Sequence, residues 1–108
     1  MTGADRKLLR LEALVASPPT STCEEIISML EKVASERPDM VRIDIYYAGS
    51  QPSVTPTSGY QNDPSGKRRE IPSVYVNGAC VASGEAPDGA ALREAVEREI
   101  ANGKETWQ

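Results

Sequence analysis

Residues 69–82 have the sequence REIPSVYVNGACVA, in which two short strand-like runs flank an Asn-Gly pair. The first run is rich in β-branched and aromatic residues, which favour strands, and Asn-Gly tolerates the positive φ angles of a tight turn. The stretch therefore predicts a β-hairpin that turns at Asn77-Gly78. Pro72 cannot donate to a sheet ladder, so the first strand begins at Pro72 or lies at a sheet edge, and a cis Ile71-Pro72 bond is an open alternative to trans.

The composition excludes several kinds of chemistry. The chain has 108 residues, the length of one compact domain, and 12 Lys and Arg against 16 Asp and Glu give a formal net charge of −4. This charge disfavours nucleic-acid binding, because no overall positive field is available for phosphates. The absence of histidine excludes Ser-His-Asp triads, Cys-His dyads and His-ligated metal sites. We therefore expect one domain over residues 1–108 with no nucleic-acid partner, no metal and no cofactor.

Neither a membrane segment nor a disulfide framework is predicted. Residues 7–15 are apolar, but Arg10 and Glu12 interrupt them, and no later segment has membrane-spanning length. We expect a cytoplasmic protein that does not bind a membrane. The two cysteines, Cys23 and Cys80, have neither CxxC nor zinc-ligand spacing, so structural thiols are the default interpretation of both.

The first half of the chain predicts a strand, a helix and a second strand. Residues 9–16 fit a central strand that is apolar on both sides, although a helical stripe of leucines is an alternative. Two overlapping Ser/Thr-x-x-Glu capping boxes in residues 21–25 precede apolar residues at helical spacing, which predicts a helix over residues 22–36. Residues 40–47 alternate between apolar and polar and predict a strand. A strand-helix-strand order forms a parallel crossover, which favours the strand interpretation of residues 9–16.

The second half contains a long loop, the hairpin and a final helix. Residues 48–70 are rich in Pro, Gly, Ser and Thr without any period, so they predict a loop that is functional or mobile. The cations of residues 67–69 close this loop, and a short charge run is most often a solvated surface. An apolar stripe that ends at Asn-Gly predicts a helix over residues 88–102. In the tail, residues 104–108, Trp107 either folds back or is exposed.

The order of these elements resembles the thioredoxin-like fold from about residue 8 to residue 100. Three features carry the resemblance, namely residues 17–23 (SPPTSTC), residues 71–78 (IPSVYVNG) and Gly84 before the final helix. The resemblance implies an α/β fold, a three-layer α/β/α sandwich with a mixed sheet.

The resemblance also implies the place of a site. In this family a CxxC motif begins the first helix, and the backbone before a cis proline binds an extended thiol substrate, so Ile71-Pro72 is expected to be cis and close to Cys23. When the helix stripes are aligned, Cys23 matches the second cysteine and Thr20 matches the first, which gives a TxxC motif. Because the first cysteine is the nucleophile, an ordinary dithiol cycle cannot run. The loop of residues 48–70 also replaces a helix of the family.

Two functions follow from this motif, and whether the protein is an enzyme stays open. In the first, a single-thiol protein forms mixed disulfides with a partner protein or a small glutathione-like thiol, Cys23 is the nucleophile, and Thr20 or Thr22 donates a hydrogen bond to it. The helix N-terminus favours the thiolate, whereas Glu24 and Glu25 oppose it. The cations of residues 67–69 would add to the favourable field. The residues expected to contact the partner are Thr22, Arg69, Ile71 and Pro72.

In the second function, a non-catalytic thioredoxin-like module binds an extended peptide or partner protein in the same groove, and Cys23 only fills space. Exposure of Cys23 discriminates between the two functions.

For either function we predict no disulfide between Cys23 and Cys80, since the hairpin turn is expected at the sheet end opposite the helix start. The sequence does not predict an oligomeric state.

Overall fold

The computed structural model describes residues 9–63 and 70–102, in which a mixed sheet carries helices on both faces. The elements in chain order are β1 (Leu9–Val15), α1 (Ser21–Glu36), β2 (Val41–Tyr47), α2 (Ser58–Gln61), β3 (Ser73–Val76), β4 (Ala79–Ser83) and α3 (Gly89–Asn102). The predicted strands, the hairpin and the two long helices are confirmed to within one or two residues. The helical alternative for residues 9–16 is wrong, because these residues form β1.

The sheet has the strand order β2-β1-β3-β4 and contains both parallel and antiparallel pairs. β1 runs parallel to β2, with Leu9 opposite Val41, as the crossover through α1 requires. β3 runs antiparallel to β1, with Leu14 opposite Ser73, and β4 runs antiparallel to β3. The hairpin turns at Asn77-Gly78, where φ is 49° and 85°. The prediction of an α/β fold with a mixed sheet is therefore confirmed.

One face of the sheet packs against α1 and α3. Alternate residues of β1 point to this side, because side chains along a strand alternate between the two faces. The buried residues of this core are Leu9, Leu11, Ala13, Val15, Cys23, Ile26, Leu30, Val33, Val41, Val74, Val76, Leu92 and Val96. The apolar stripes of both helices thus bury themselves against one sheet face.

The opposite face is covered by residues 54–61, which include α2 and which we call the covering segment. Tyr60 of α2 inserts between Tyr46 of β2 and Tyr75 of β3, with ring centroids 4.9 Å and 4.8 Å away and edge-to-face geometry. The prediction of a loop without regular structure is therefore wrong for Ser58–Gln61. α2 has a single turn and no apolar period, and it is capped by Thr57, whose Oγ1 accepts the Tyr60 N–H at 3.2 Å.

A buried polar network joins this covering segment to the sheet. Glu12 of β1 has no exposed surface. Its carboxyl oxygens accept the Tyr46 hydroxyl at 2.5 Å, the Thr57 hydroxyl at 2.5 Å and the Thr57 N–H at 2.9 Å. Next to it, the buried Arg10 pairs with Asp44 at 2.6 Å. The expectation of a strand that is apolar on both sides is therefore wrong on this face, where hydrogen bonds replace apolar packing.

Some predictions concern residues outside the described ranges. The cations of residues 67–69, the tail of residues 104–108 and Trp107 all lie outside them. Among the described residues, no helix is both long and apolar enough to cross a membrane.

Candidate functional site at the start of α1

Thr20 is the N-cap of α1. Its backbone is extended, with φ −78° and ψ 173°, and its Oγ1 accepts the Cys23 N–H at 3.2 Å. The two predicted capping boxes are therefore misplaced, because Ser21 and Thr22 already belong to the helix. Thr20 is the last residue with an extended backbone before the helix, so its side chain can reach a free N–H group of the first turn, whereas Ser21 and Thr22 already have helical backbone.

The Cys23 thiol is enclosed by the protein. Cys23 has no exposed surface and packs in the core beneath α1 and α3. Its Sγ accepts two hydrogen bonds, from the Thr20 hydroxyl at 3.1 Å and from the Ala16 N–H at 3.4 Å. Of the two predicted donors, Thr20 makes the bond, and no hydrogen bond from Thr22 to this sulfur is present. The helix start thus surrounds the sulfur with polar hydrogens while closing it off from solvent.

The pKa of the Cys23 thiol reflects two opposing effects. Burial raises the pKa, but the hydrogen bonds from Thr20 and Ala16 to the sulfur lower it, and the net direction is downward. Glu24 and Glu25, both exposed on the first turns of α1, are of the sign that opposes a thiolate. The Thr20 and Ala16 donors therefore favour the Cys23 thiolate more than an apolar pocket would. The sulfur is nevertheless closed to solvent.

The Ile71-Pro72 segment lies at the same end of the sheet as Cys23. The pairing of Leu14 with Ser73 places residues 71–72 beside the end of β1, where Ala16 bonds to the Cys23 sulfur. The Ile71-Pro72 bond is cis, as predicted, and the Ser17-Pro18 bond is cis as well. Pro72 is buried, and its carbonyl accepts the Gly84 N–H at 2.7 Å.

Of the predicted partner-contact residues that the structure describes, Ile71 is the most exposed. Its exposed fraction is 46%, the highest among the exposed large apolar residues of the described ranges. Thr20 is exposed as well, and Thr22 is half-buried. Arg69 lies outside the described residues. The structure thus brings Thr20, Cys23, Ile71 and Pro72 to one end of the sheet.

Cys80 is remote from this site. It lies exposed on β4 opposite Tyr75, on the sheet face away from the core that holds Cys23. The hairpin turn meets the start of β1, where the Asn77 N–H donates to the Arg10 carbonyl at 2.8 Å. Both cysteines are free, so the prediction of no intramolecular disulfide is confirmed.

Sequence reasoning missed the residues that hold the covering segment in place, namely Glu12, Thr57 and Tyr60. A signal existed in the two polar residues of an otherwise apolar strand, which were interpreted only as interruptions. The described residues contain no group of three or more acidic or cysteine side chains that could hold a metal ion.

No protein-family model matches the chain, and no curated protein is significantly similar to it. The function is therefore argued from the geometry of the site.

Proposed function

We propose that the protein is a non-catalytic binding module of the thioredoxin-like fold that recognises an extended segment of a partner protein. The strand order β2-β1-β3-β4, with a parallel β1–β2 pair and an antiparallel hairpin, supports this fold. So does the packing of α1 and α3 on one sheet face. A fold does not by itself determine a function, so the argument depends on the start of α1.

The observation that carries the proposal is the complete burial of Cys23. Thiol-disulfide exchange needs a thiolate that a partner sulfur can reach, and Cys23 has no exposed surface. The exposed position that precedes it by three residues is Thr20, whose hydroxyl is engaged both with the Cys23 N–H and with the Cys23 sulfur. A hydroxyl in that position caps a helix but does not attack a disulfide.

The binding surface of this proposal is centred on Ile71. Its side chain is 46% exposed, and no described residue hydrogen-bonds to its backbone. An extended partner segment could therefore pair with this backbone and place an apolar side chain against Ile71. Thr20, exposed at the same end of the sheet, would line the other side of the bound segment.

Binding of short linear peptides tests the proposal. Binders selected from a displayed library of such peptides should lose affinity at least about tenfold with Ile71→Glu, because the substitution places a charge in an apolar contact. Val81→Glu is the matched control, since Val81 is 40% exposed on β4, away from the site. Equal effects of the two substitutions, or no selectable peptide, would refute binding at Ile71.

A second candidate is the single-thiol function, which the hydrogen bonds that lower the pKa of Cys23 favour. Here the Cys23 thiolate attacks one sulfur of glutathione disulfide, a new disulfide forms, and the other glutathione leaves as a thiolate. This function predicts one glutathione adduct at Cys23 in the folded protein. The binding-module proposal predicts an adduct at the exposed Cys80 alone, so Cys23→Ser should leave the adduct yield unchanged.

A further inference from the structure

β2 is an outer strand of the sheet, and its free edge is long and regular. It has seven residues without proline or glycine, and among the described residues it pairs with β1 alone, in an unbroken register. The other outer strand, β4, has five residues, and its pairing with β3 contains a bulge or irregularity. Short strands and bulges protect sheet edges against the addition of further strands. β2 has neither of these two protections.

The backbone groups of alternate β2 residues point to this free edge. The Met40 carbonyl accepts the Leu9 N–H at 3.0 Å. At the other end of the strand, the Ala48 N–H donates to the Val15 carbonyl at 2.8 Å. Even-numbered residues between 40 and 48 therefore direct their backbone groups toward β1. Because successive residues of a strand bond to opposite sides, the odd-numbered residues of β2 direct theirs away from β1.

Ile43 and Ile45 thus direct both their N–H and their C=O groups to the free edge, where the described part of the chain supplies no partner. At the ends of the strand, the Val41 N–H and the Tyr47 C=O are already bonded within neighbouring turns, which leaves the Val41 C=O and the Tyr47 N–H. The edge therefore offers alternating donors and acceptors along the whole of β2, the pattern that an extended backbone can match.

The side chains beside this edge are apolar. Ile43 and Ile45 are half-buried and pack against the core under α1, and Tyr47, on the same sheet face, is 40% exposed. Ile27 of α1 is half-buried against the same core. It is not among the α1 residues that line the groove toward α3, so it lies on the side of α1 that is turned toward β2. An added strand would therefore meet apolar side chains on this face.

The unpaired charges beside the edge are acidic. Glu31 shares the side of α1 that carries Ile27, four residues earlier, and Asp39 immediately precedes Met40 at the start of β2. Both acids are exposed, and neither forms an ion pair within the residues that the structure describes. The nearest cations are engaged or turned away. Arg42 lies on the opposite sheet face and pairs with Asp44 at 3.1 Å, and Lys32 lines the groove toward α3.

We propose that an extended segment of a partner protein, with apolar side chains and one basic side chain on the same face, adds to the sheet as a fifth strand beside β2. Its backbone pairs with the free groups of Ile43 and Ile45, and its apolar side chains cover Tyr47 and the two isoleucines. Its long basic side chain reaches Glu31. In such strand addition, main-chain hydrogen bonds give affinity and alternate side chains give specificity.

A second copy of this chain fits the edge less well. A twofold axis beside β2 brings the same side of both α1 helices together, so the unpaired acids Glu31 and Asp39 meet further acids and no free cation. The surface uses neither Cys23 nor Ile71. The proposal therefore does not depend on the function proposed above, and Ile71→Glu should leave binding at β2 unchanged.

Amide hydrogen exchange measured by NMR, with a synthetic peptide as the probe, tests the proposal. The peptide Thr-Val-Thr-Lys-Thr-Val-Thr places both valines and the lysine on one face of a strand. In the free protein the Asp44 N–H, which points to β1, should exchange slowly, and the N–H groups of Ile43 and Ile45 should exchange fast. Near saturation the peptide should slow exchange at Ile43 and Ile45 at least about tenfold.

Two further peptides, methylated on alternate backbone nitrogens, separate strand pairing from other contacts. One set of alternate N–H groups faces β2 and the other faces solvent, so one peptide should lose affinity at least about tenfold and the other should bind as the parent does. Equal binding of the two methylated peptides would overturn the proposal.

A charge reversal tests the basic side chain. Glu31→Lys should weaken binding of the lysine peptide at least about threefold and strengthen binding of the same peptide with glutamate in place of lysine. Glu94→Lys is the control, since it makes the same charge change at an exposed position of α3, and it should change neither affinity. The proposal is overturned if the lysine peptide gives no protection at its solubility limit. It is also overturned if protection at Ile43 and Ile45 rises with protein concentration alone, which would assign the edge to a second copy.

Discussion

The Tyr46 hydroxyl lies between the buried carboxyl group of Glu12 and the buried guanidinium group of Arg10. It donates to Glu12 at 2.5 Å and accepts from Arg10 at 3.2 Å. Burial raises the pKa of Tyr46 far above its ordinary value, and the hydrogen bond to Glu12 raises it further. The network therefore holds this phenol in its protonated form.

This raised pKa predicts alkaline sensitivity. The neutral phenol contributes stability that is fully present below the unfolded pKa of about 10 and is lost as the pH rises from there toward the folded pKa. The free energy of unfolding in urea should therefore fall above about pH 10, and Tyr46→Phe should remove part of that fall. A phenolate difference spectrum between the two folded proteins checks the assignment. Ionisation of Tyr46 near pH 10 without unfolding would contradict it.

At the scale of elements, α2 packs directly on the hairpin turn. A Cβ at Gly59 would overlap the carbonyl oxygen of Gly78, and a Cβ at Gly89, at the start of α3, would meet nothing. Gly59→Ala should therefore lower the free energy of unfolding by about 1–3 kcal/mol, because α2 must shift away from the turn. Gly89→Ala, the control, should be neutral or stabilising, since alanine favours a helix. Equal urea midpoints for the two variants would show that α2 does not contact the turn.

Elements whose signals are local could be predicted from the sequence. The alternation in residues 40–47, the apolar stripe of α1 and the Asn-Gly turn each lie within a short window, and each predicted its element. α2 could not be predicted, because four residues have no period and the segment is held by Glu12, 45 residues before Thr57. The Thr20 cap was missed because three consecutive hydroxyl residues offer equivalent caps, and only the path of the chain after Pro19 selects among them.

At the scale of the molecule, the sheet separates the two thiols. Cys23 lies in the core under α1 and α3, whereas Cys80 lies on the opposite face. Cys80 therefore cannot reach Cys23, whereas a thiol placed at the start of α1 can. The Thr20 Oγ1 is 3.1 Å from the Cys23 sulfur, so a sulfur at that position is within reach of a disulfide after a small shift.

Thr20→Cys should therefore create a measurable dithiol activity in a disulfide-reduction assay in which the wild type stays near background. The reduced variant should lose about 1 kcal/mol of stability with the helix cap. Ser21→Cys is the control, because it adds an exposed thiol without the CxxC spacing. An inert Thr20→Cys variant whose new thiol reacts with an alkylating agent would show that this end of the sheet is not arranged for thiol exchange.

The central claim is that Cys23 is closed to reagents while the protein is folded, and alkylation of the Cys80→Ser variant measures this directly. With iodoacetamide, Cys23 should react at least about a thousandfold more slowly in buffer than in denaturing urea, because access requires unfolding. Raising the pH toward 9 should not remove this difference between the alkylation rates in buffer and in urea. A Cys23 that reacts in the folded protein as fast as Cys80 does in the Cys23→Ser variant would contradict the binding-module account and favour the single-thiol function.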